Sequence, residues 1–243
     1  MKGKQMAISL SRTAIEQFIR CPKCFYFHRK LGLKPPSMVP LTLAVATDAL
    51  LKNEFDAVRK SASTHPLWLR ENLNVLAFDH PDIDLWRNNF KGIRVKWSGS
   101  DIEIFGAVDD VWINNDTYEL HVVDYKSTSK QGIPTIEGGF GDGYKRQMEI
   151  YQWLLSNIGY QVSSTGYFLY VNGNKQGGFY DEYLLGNMRF ETNIIAYQGN
   201  ASWVEQTIAN AIDCLASEEI PEASGSNCDS CRYFKERNSI SAS

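Results

Sequence analysis

Two acidic residues and a lysine lie close together in the sequence between residues 106 and 126. Asp109 ends the segment GAVD, and Asp124 and Lys126 stand two residues apart in the segment VVDYK. Carboxylate oxygens are the ligands that Mg²⁺ and Mn²⁺ prefer, and such an ion can polarise a phosphoryl oxygen and activate water. An ammonium group beside them can orient that water or neutralise charge in the transition state. These residue types therefore favour metal-dependent hydrolysis of a phosphodiester.

The same residues allow a simpler interpretation, because a D-x-K pattern is short. An exposed Asp–Lys pair on a strand contributes less than about 1 kcal/mol to stability and has no catalytic role. Asp110 also competes with Asp109, since adjacent strand residues face opposite sides of a sheet and only one of them can join Asp124. The spacing from Gly106 favours Asp109. The backbone carbonyl of Tyr125 is a further candidate ligand of the metal.

The candidate residues need neighbouring strands to bring them together. Residues 102–113 and 120–125 are rich in β-branched and aromatic side chains, and the Asn- and Asp-rich stretch 114–117 between them is typical of a turn. The second strand presents its acid and its lysine on one face because side chains alternate. Residues 93–97 alternate as well and precede a Ser-Gly-Ser turn. The sequence therefore predicts a three-stranded antiparallel meander at the centre of the sheet.

Periodic apolar positions predict the remaining elements. The predicted helices are 13–18, 42–60, 144–155 and 203–215. Ser9 or Ser11 is the expected N-cap of the first of these helices. The further predicted strands are 165–171 and an edge strand at 189–197. Helical turns and loops are expected at 61–90, a mobile Gly-rich loop at 132–143 and a frayed end at 238–243.

Length and composition indicate a globular chain. The 243 residues are 43% hydrophobic, which is enough for a substantial core and excludes a disordered or fibrous protein. We expect one domain over residues 1–243, with a core at about 42–215 and cysteine-clamped ends at 9–34 and 220–237. The chain has no long apolar run and no signal peptide, and its cysteine count is odd at five, so a cytoplasmic location is expected.

Positive charge is concentrated at the N-terminus. Residues 1–34 contain eight Lys and Arg and one Glu, although the net charge of the whole chain is −3. Such a basic segment favours local contact with a polyanion, and a solvated helical face is the alternative. The candidate nucleic-acid-binding residues are Arg12, Arg29 and Lys30 in this segment, with Lys145 and Arg146 at the start of a later helix.

Four of the five cysteines form two CxxC pairs. Cys21 and Cys24 lie near one end of the chain, and Cys228 and Cys231 lie near the other. Two such chelating pairs can close into one four-thiolate site that pins the chain ends together. Spacing alone allows an iron–sulfur cluster or Zn²⁺, and four unligated buried thiols are the third alternative. Cys214, within a predicted amphipathic helix, is expected to be a core residue.

Several segments together resemble the PD-(D/E)XK nuclease superfamily. Those around the acids are Gly106-Ala-Val-Asp109, Val122-Val-Asp124-Tyr-Lys126 and Gln147-x-x-x-Tyr151. The chain is most similar to the branch of RecB-type nuclease domains and CRISPR-adaptation exonucleases. The N-terminal segments that match this branch are Ser9-Leu-Ser11, Cys21-Pro22 and Phe25-Tyr26-Phe27. The resemblance implies a restriction-endonuclease-like α/β core, in which helices flank a mixed central β-sheet.

The resemblance also implies a Mg²⁺- or Mn²⁺-dependent deoxyribonuclease. Asp109 and Asp124 would bind the metal, and Lys126 would position the nucleophile. Gln147 and Tyr151, on a helix over the site, would orient the lysine, water or substrate. The partner would be DNA with single-stranded ends. The alternatives are a catalytically silent nucleic-acid-binding or assembly module and a metallohydrolase that acts on other substrates.

The chain departs from the resembled branch at two places. The branch carries a metal-binding His on the long helix before the catalytic strands, where this chain has Asp48, with Glu54 as the second candidate. An aspartate can still bind Mg²⁺. In the branch, one N-terminal and three C-terminal cysteines hold an iron–sulfur cluster, whereas here Cys24 would replace a missing C-terminal cysteine. The resemblance therefore favours a 4Fe–4S cluster over Zn²⁺.

Overall fold

The computed structural model describes residues 9–34, 39, 41–224 and 228–241. Lys2 and Lys4, which contribute to the predicted basic segment, lie outside these residues. The chain forms two compact units. As far as they are described, the first unit contains residues 1–39, 96–105 and 201–243, and the second contains 40–95 and 106–200. The expectation of one domain with clamped ends stays a prediction.

Helices and strands follow one another along the whole described chain. The helices are α1 (Arg12–Arg20), α2 (Pro22–Arg29), α3 (Thr42–Ser61), α4 (Pro66–Arg70), α5 (Ile83–Trp86), α6 (Gly141–Asn157), α7 (Val204–Ala216) and α8 (Asp229–Ser241), with a 3₁₀ turn at Ala201–Trp203. The strands are β1 (Ser9–Ser11), β2 (Val75–Ala77), β3 (Ile93–Lys96), β4 (Glu103–Gly106), β5 (Asp110–Asn114), β6 (Leu120–Thr128), β7 (Thr165–Gly173) and β8 (Phe190–Gln198). The predicted helices, and the predicted strands other than 102–113, are therefore present with slightly different ends. None of the described helices has both the length and the apolar content needed to cross a membrane.

The second unit is built around a mixed sheet. Among the described residues its strand order is β2-β5-β6-β7-β8. β6 pairs antiparallel with β5 and parallel with β7, and β8 is an antiparallel edge strand, as predicted. Asp110 lies opposite Val123, and Lys126 lies opposite Tyr170. A mixed sheet accompanied by helices confirms the predicted α/β class.

The predicted three-stranded meander is wrong. β4 pairs in parallel with β1, whereas β5 pairs with β6, so residues 102–113 contribute to two sheets and not to one strand. The break follows Gly106, where an added Cβ would stand 2.7 Å from the ring of Tyr151. Val108 is fully buried, and its N–H donates to the Trp86 carbonyl at 3.2 Å. The residues between Gly106 and the start of β5 are therefore closely packed and do not pair with a strand.

Two elements occur where the sequence predicts loops or fraying. β2 lies within the segment expected to hold turns, because a three-residue pairing with β5 is too short to leave a periodic pattern. α8 continues to Ser241, well beyond the last cysteine. Its first turn contains Asp229, which complements the helix dipole and accepts a 2.6 Å hydrogen bond from Arg232. Local contacts of this kind stabilise the start of the helix.

Alternation along β6 separates the two faces of the sheet. Val123 and Tyr125 pack into the main hydrophobic cluster, which includes Phe55 of α3. Asp124 points the other way, where Gln147 of α6 donates to it. The face of β6 that carries Asp124 is therefore the face covered by α6.

The first unit contains both ends of the described chain. Ser11 caps α1, because its side chain accepts a 3.1 Å hydrogen bond from the Ala14 N–H. α1 ends at Arg20 with Cys21 as its C-cap, and Pro22 occupies the first position of α2, where the missing N–H costs nothing. Helices α1 and α2 both pack against α7. These helices fix the position of the first CxxC pair.

Candidate functional site

Asp109 and Asp110 face different surroundings, as expected for adjacent residues. The backbone N–H of Tyr125 donates to Asp109 Oδ2 at 2.8 Å. Partial burial, and then the charge of Asp124, raises the pKa of Asp109 to about 7. Asp110 is fully buried and accepts a 2.8 Å hydrogen bond from Arg87. The structure thus places Asp109, and not Asp110, beside Asp124, while the catalytic role of Asp109 stays a prediction.

Asp124 has no exposed surface and is held from two directions. Gln147 Nε2 donates to Asp124 Oδ1 at 2.8 Å, and Lys126 forms an ion pair with Asp124 Oδ2. Gln147 Nε2 also donates to the Tyr151 hydroxyl at 3.1 Å. Gln147 and Tyr151 are four residues apart on α6, so they share one face of that helix. The structure therefore brings together the predicted residues Asp109, Asp124, Lys126, Gln147 and Tyr151.

Lys126 is the cation beside Asp124. Burial lowers the pKa of Lys126, but the charges of Asp124 and Asp109 outweigh burial and raise it, so the amine is protonated at neutral pH. The ammonium also lies 4.5 Å from the centroid of the Tyr144 ring. Tyr144 is a site residue that the sequence motifs miss. Its position three residues before Gln147, on the same helix face, is the signal that would reveal it.

The carboxylate pair fits a hard divalent cation. Asp109 and Asp124 lie on neighbouring segments, and each offers oxygen ligands of the type that Mg²⁺ and Mn²⁺ prefer. Two carboxylates this close oppose each other's ionisation, and a divalent cation between them would offset that repulsion. The donor chemistry therefore suits the metal, while coordination by the Tyr125 carbonyl stays a prediction.

Asp48 and Glu54, the candidates for a third metal ligand, have different neighbours. Glu54 is 64% exposed, and its Oε1 lies 3.3 Å from His65 Nε2. Asp48 Oδ2 accepts a 2.8 Å hydrogen bond from Lys52 Nζ, which lies 4.0 Å from Asp109 Oδ1. No motif contains this lysine, but its i,i+4 spacing from Asp48 on α3 is the signal that would reveal it. Asp48 therefore shares a partner with Asp109, and its role as a metal ligand stays a prediction.

Asp110, the residue that follows Asp109, belongs to a buried cluster of charged residues. Arg59 and Arg87 are both buried and both donate to Asp110. The Tyr125 hydroxyl donates to Asp110 Oδ2 at 2.8 Å, while the Tyr125 backbone N–H donates to Asp109. Burial, and then the charge of Asp110, raises the pKa of Tyr125, so its hydroxyl stays a donor. Tyr125 thereby connects the cluster to the candidate metal ligand.

The predicted nucleic-acid-binding residues are divided between the two units. They are Arg12, Arg29 and Lys30 in the first unit and Lys145 and Arg146 in the second. Lys30 forms a 3.0 Å ion pair with Glu218. Lys145 Nζ lies 2.8 Å from both carboxylate oxygens of Glu137. A phosphate would have to displace these exposed acids, and the binding role of all five residues stays a prediction.

The four cysteines of the two CxxC pairs lie together in the first unit. Cys21 Sγ is 3.7 Å from Cys231 Sγ, and Cys24 Sγ is 3.5 Å from the sulfurs of Cys228 and Cys231. None of these residues forms a disulfide. Burial raises the pKa of Cys21, but backbone hydrogen bonds from Ser224 and Cys24 outweigh it and lower the pKa to about 7. The predicted convergence of the two pairs is confirmed, and the four thiolates can hold a metal.

Comparison with known proteins gives the family. A model of the PD-(D/E)XK nuclease superfamily matches residues 40–235, which is more than half of the chain. A search of curated proteins gave no match. The matched range includes the candidate site residues, which are Asp109, Asp124, Lys126, Gln147 and Tyr151. This superfamily consists in general of nucleases that use divalent metals. The chain thus belongs to the PD-(D/E)XK nuclease superfamily.

Proposed function

We propose that this protein is a deoxyribonuclease that uses Mg²⁺ or Mn²⁺ to hydrolyse phosphodiester bonds, with DNA that has single-stranded ends as its substrate. The observation that carries the proposal is the grouping of Asp109, Asp124 and Lys126, with Gln147 bonded to Asp124 at 2.8 Å. Family membership supports the same class of reaction. A cytoplasmic location is a further prediction of this proposal.

In the proposed mechanism, Asp109 and Asp124 would hold the metal. When bound, the ion supplies a Lewis acid that stabilises charge on the phosphate and favours ionisation of water. Lys126, which is protonated, donates to the attacking water or neutralises charge as the phosphorane-like transition state forms. Gln147 fixes the orientation of Asp124, and its amide is shared with Tyr151. Asp48 would complete the ligands from α3.

Cleavage of labelled DNA tests the proposal. A duplex with single-stranded tails is expected to be cut in Mg²⁺ or Mn²⁺ and to stay intact in a chelator. Asp124→Ala is expected to lower the rate on the order of 10³-fold or more, because the loss of a Lewis acid worth several kcal/mol has that effect. Asp84→Ala, at an exposed acid on α5, is the matched control. A rate for Asp124→Ala near that of wild type would rule out the assignment.

A catalytically silent nucleic-acid-binding or assembly module is the second candidate. The observation that favours it is Lys52, whose ammonium lies 2.8 Å from Asp48 and 4.0 Å from Asp109. A lysine in this position can balance the acids without a metal. Thermal unfolding with and without Mn²⁺ distinguishes the two candidates. A nuclease site predicts stabilisation by Mn²⁺ in wild type and none in Asp109→Ala, whereas a silent module predicts no stabilisation in either protein.

Removing the charge of Lys52 is expected to strengthen Mn²⁺ binding. An ammonium 4.0 Å from Asp109 Oδ1 repels a cation bound to that carboxylate, and at an effective dielectric near 20 the repulsion exceeds about 1.4 kcal/mol, or tenfold in affinity. Isothermal titration of Lys52→Gln should therefore give a Mn²⁺ dissociation constant at least about tenfold lower than that of wild type. Lys60→Gln, at an exposed position of α3, is the control. Equal affinities in all three proteins would show that Lys52 does not oppose the metal.

We also propose that the four clustered cysteines hold a second metal group. The resemblance to RecB-type and CRISPR-adaptation nucleases favours a 4Fe–4S cluster, and thiolate chemistry allows Zn²⁺ as the alternative. Such a group would join residues near the two ends of the chain, which agrees with the expected cysteine-clamped subdomain.

A further inference from the structure

Three of the distances among the four sulfur atoms are close to those between ligands on a single tetrahedral ion. A Zn–S bond is about 2.3 Å long, so two sulfurs on one zinc ion stand about 3.8 Å apart. The distance from Cys21 to Cys231 is 3.7 Å, and those from Cys24 to Cys228 and Cys231 are both 3.5 Å. Each of these separations is within a few tenths of an ångström of the edge of a zinc–thiolate tetrahedron.

A 4Fe–4S cluster requires a wider arrangement of the same ligands. Each thiolate binds a different iron and points away from the centre of the cluster, which places the sulfurs on the order of 6 Å apart. All four ligand sulfurs in this structure lie within 4.8 Å of one another. That space does not hold four irons and four sulfides. The residues therefore do not fit the cluster that the resemblance implies.

The positions of the sulfurs are fixed by two helix starts. Cys24 lies in the first turn of α2, which begins at Pro22. Cys231 lies in the first turn of α8, where the Arg232 N–H donates to the Cys228 carbonyl at 2.9 Å. Both cysteines therefore project from the first turn of a helix, at a well-defined point of the backbone. The two helix starts bring cysteines that are distant in sequence to one place.

From this geometry we infer that Cys21, Cys24, Cys228 and Cys231 bind one Zn²⁺ ion. Four protein ligands complete the tetrahedral shell and leave no open position for water, so the ion has a structural role and does not catalyse hydrolysis. The site joins segments about 204 residues apart in sequence. The free energy of zinc binding adds to the stability of the first unit, and oxygen does not destroy the site because zinc has no redox chemistry here.

The metal content of the full chain tests the inference independently of any nuclease activity. The protein is purified without oxygen from cells supplied with both iron and zinc, and its metals and acid-labile sulfide are measured. We expect one zinc per chain, no significant iron or sulfide, and no change on exposure to air. Exchange of zinc for Co²⁺ in the wild-type chain should produce the intense visible bands of tetrahedral thiolate cobalt. Four irons and four sulfides in a brown protein would overturn the inference, as would a metal-free chain with four reactive thiols.

Variants of one ligand show whether the cysteines bind the zinc directly. Cys231→Ala is expected to bind zinc at least about a hundredfold more weakly than wild type, because the tetrahedral shell loses one ligand. Cys231→His should keep one zinc, since imidazole replaces thiolate in structural zinc sites. Cys214→Ser, on α7 and outside the cluster, is the control with full zinc content. Full zinc affinity in Cys231→Ala would contradict the inference, and the cobalt spectrum of the wild-type chain provides a test even where a variant does not fold.

Discussion

Asp109→Asn is expected to abolish Mn²⁺-dependent cleavage of DNA without lowering the free energy of unfolding. Asparagine keeps a side-chain oxygen that can accept the Tyr125 N–H, which Asp109 now accepts at 2.8 Å. The charge itself does not stabilise the metal-free fold, because burial and the neighbouring Asp124 raise the pKa of Asp109 to about 7. A neutral amide oxygen binds a divalent cation much more weakly than a carboxylate does, so the cleavage rate should fall on the order of 10³-fold or more.

Three measurements on the same preparation separate the effects of this substitution. They are the cleavage rate in Mn²⁺, the Mn²⁺ affinity by titration calorimetry and the free energy of unfolding in urea. Asp84→Asn, which removes an exposed acid of α5, should match wild type in all three. A cleavage rate for Asp109→Asn within tenfold of wild type would falsify the assignment of Asp109 as a metal ligand. A large fall in stability would instead indicate a structural role.

Sequence patterns reveal the parts of this fold whose signal is local. α3 and α6 have apolar residues at helical spacing, and β6 begins with a largely apolar run, so these elements are predicted within a few residues of their ends. Asp109 and Asp110 separate as predicted, one toward Asp124 and the other into the interior, although Asp109 lies just before β5 and not within a strand. The candidate site is therefore largely visible in short motifs.

The features that sequence patterns miss depend on contacts between distant residues. The break after Gly106 follows from packing against Tyr151, which lies 45 positions later, and no local pattern marks it. Lys52 becomes a site residue only because α3 brings its ammonium to 4.0 Å from Asp109 Oδ1. The sulfur separations that distinguish one ion from a cluster likewise follow from how two helix starts meet in three dimensions. Sequence motifs identify the ligand residues, whereas the distances between the ligand atoms in the fold determine which metal group those residues can bind.

Asp110→Ala is expected to lower the stability of the protein strongly, in contrast to Asp109→Asn, which is expected to leave stability unchanged. Arg59 and Arg87 both donate to the fully buried Asp110, and without it they would share only Asp56, whose side chain is 32% exposed. Breaking a buried ion pair by removing one partner costs about 3–5 kcal/mol, and here two buried arginines would be left with one partly exposed acid between them. The free energy of unfolding should fall by about this amount.

Urea unfolding of Asp110→Ala, followed by tryptophan fluorescence and by circular dichroism, measures this loss. Asp84→Ala is again the control, because its carboxylate is exposed, and a change below about 0.5 kcal/mol is expected for it. A loss below about 1 kcal/mol for Asp110→Ala would show that the two arginines find solvent or other partners when the acid is removed. A variant that fails to fold agrees with the prediction only if the control folds normally under the same conditions.

Tyr125→Phe tests how the buried cluster affects the candidate metal ligand. The substitution removes the 2.8 Å hydrogen bond from the hydroxyl to Asp110 but leaves the backbone N–H that donates to Asp109. We expect Tyr125→Phe to lower the free energy of unfolding by about 1–3 kcal/mol and to leave Mn²⁺ affinity unchanged, because the N–H that donates to Asp109 is kept. If the hydroxyl also holds the start of β5 in place, Mn²⁺ affinity should fall as well. In that case Tyr125 would connect the two aspartates, because its hydroxyl contacts Asp110 and its N–H contacts Asp109, and Asp110 would help to fix the backbone that carries Asp109.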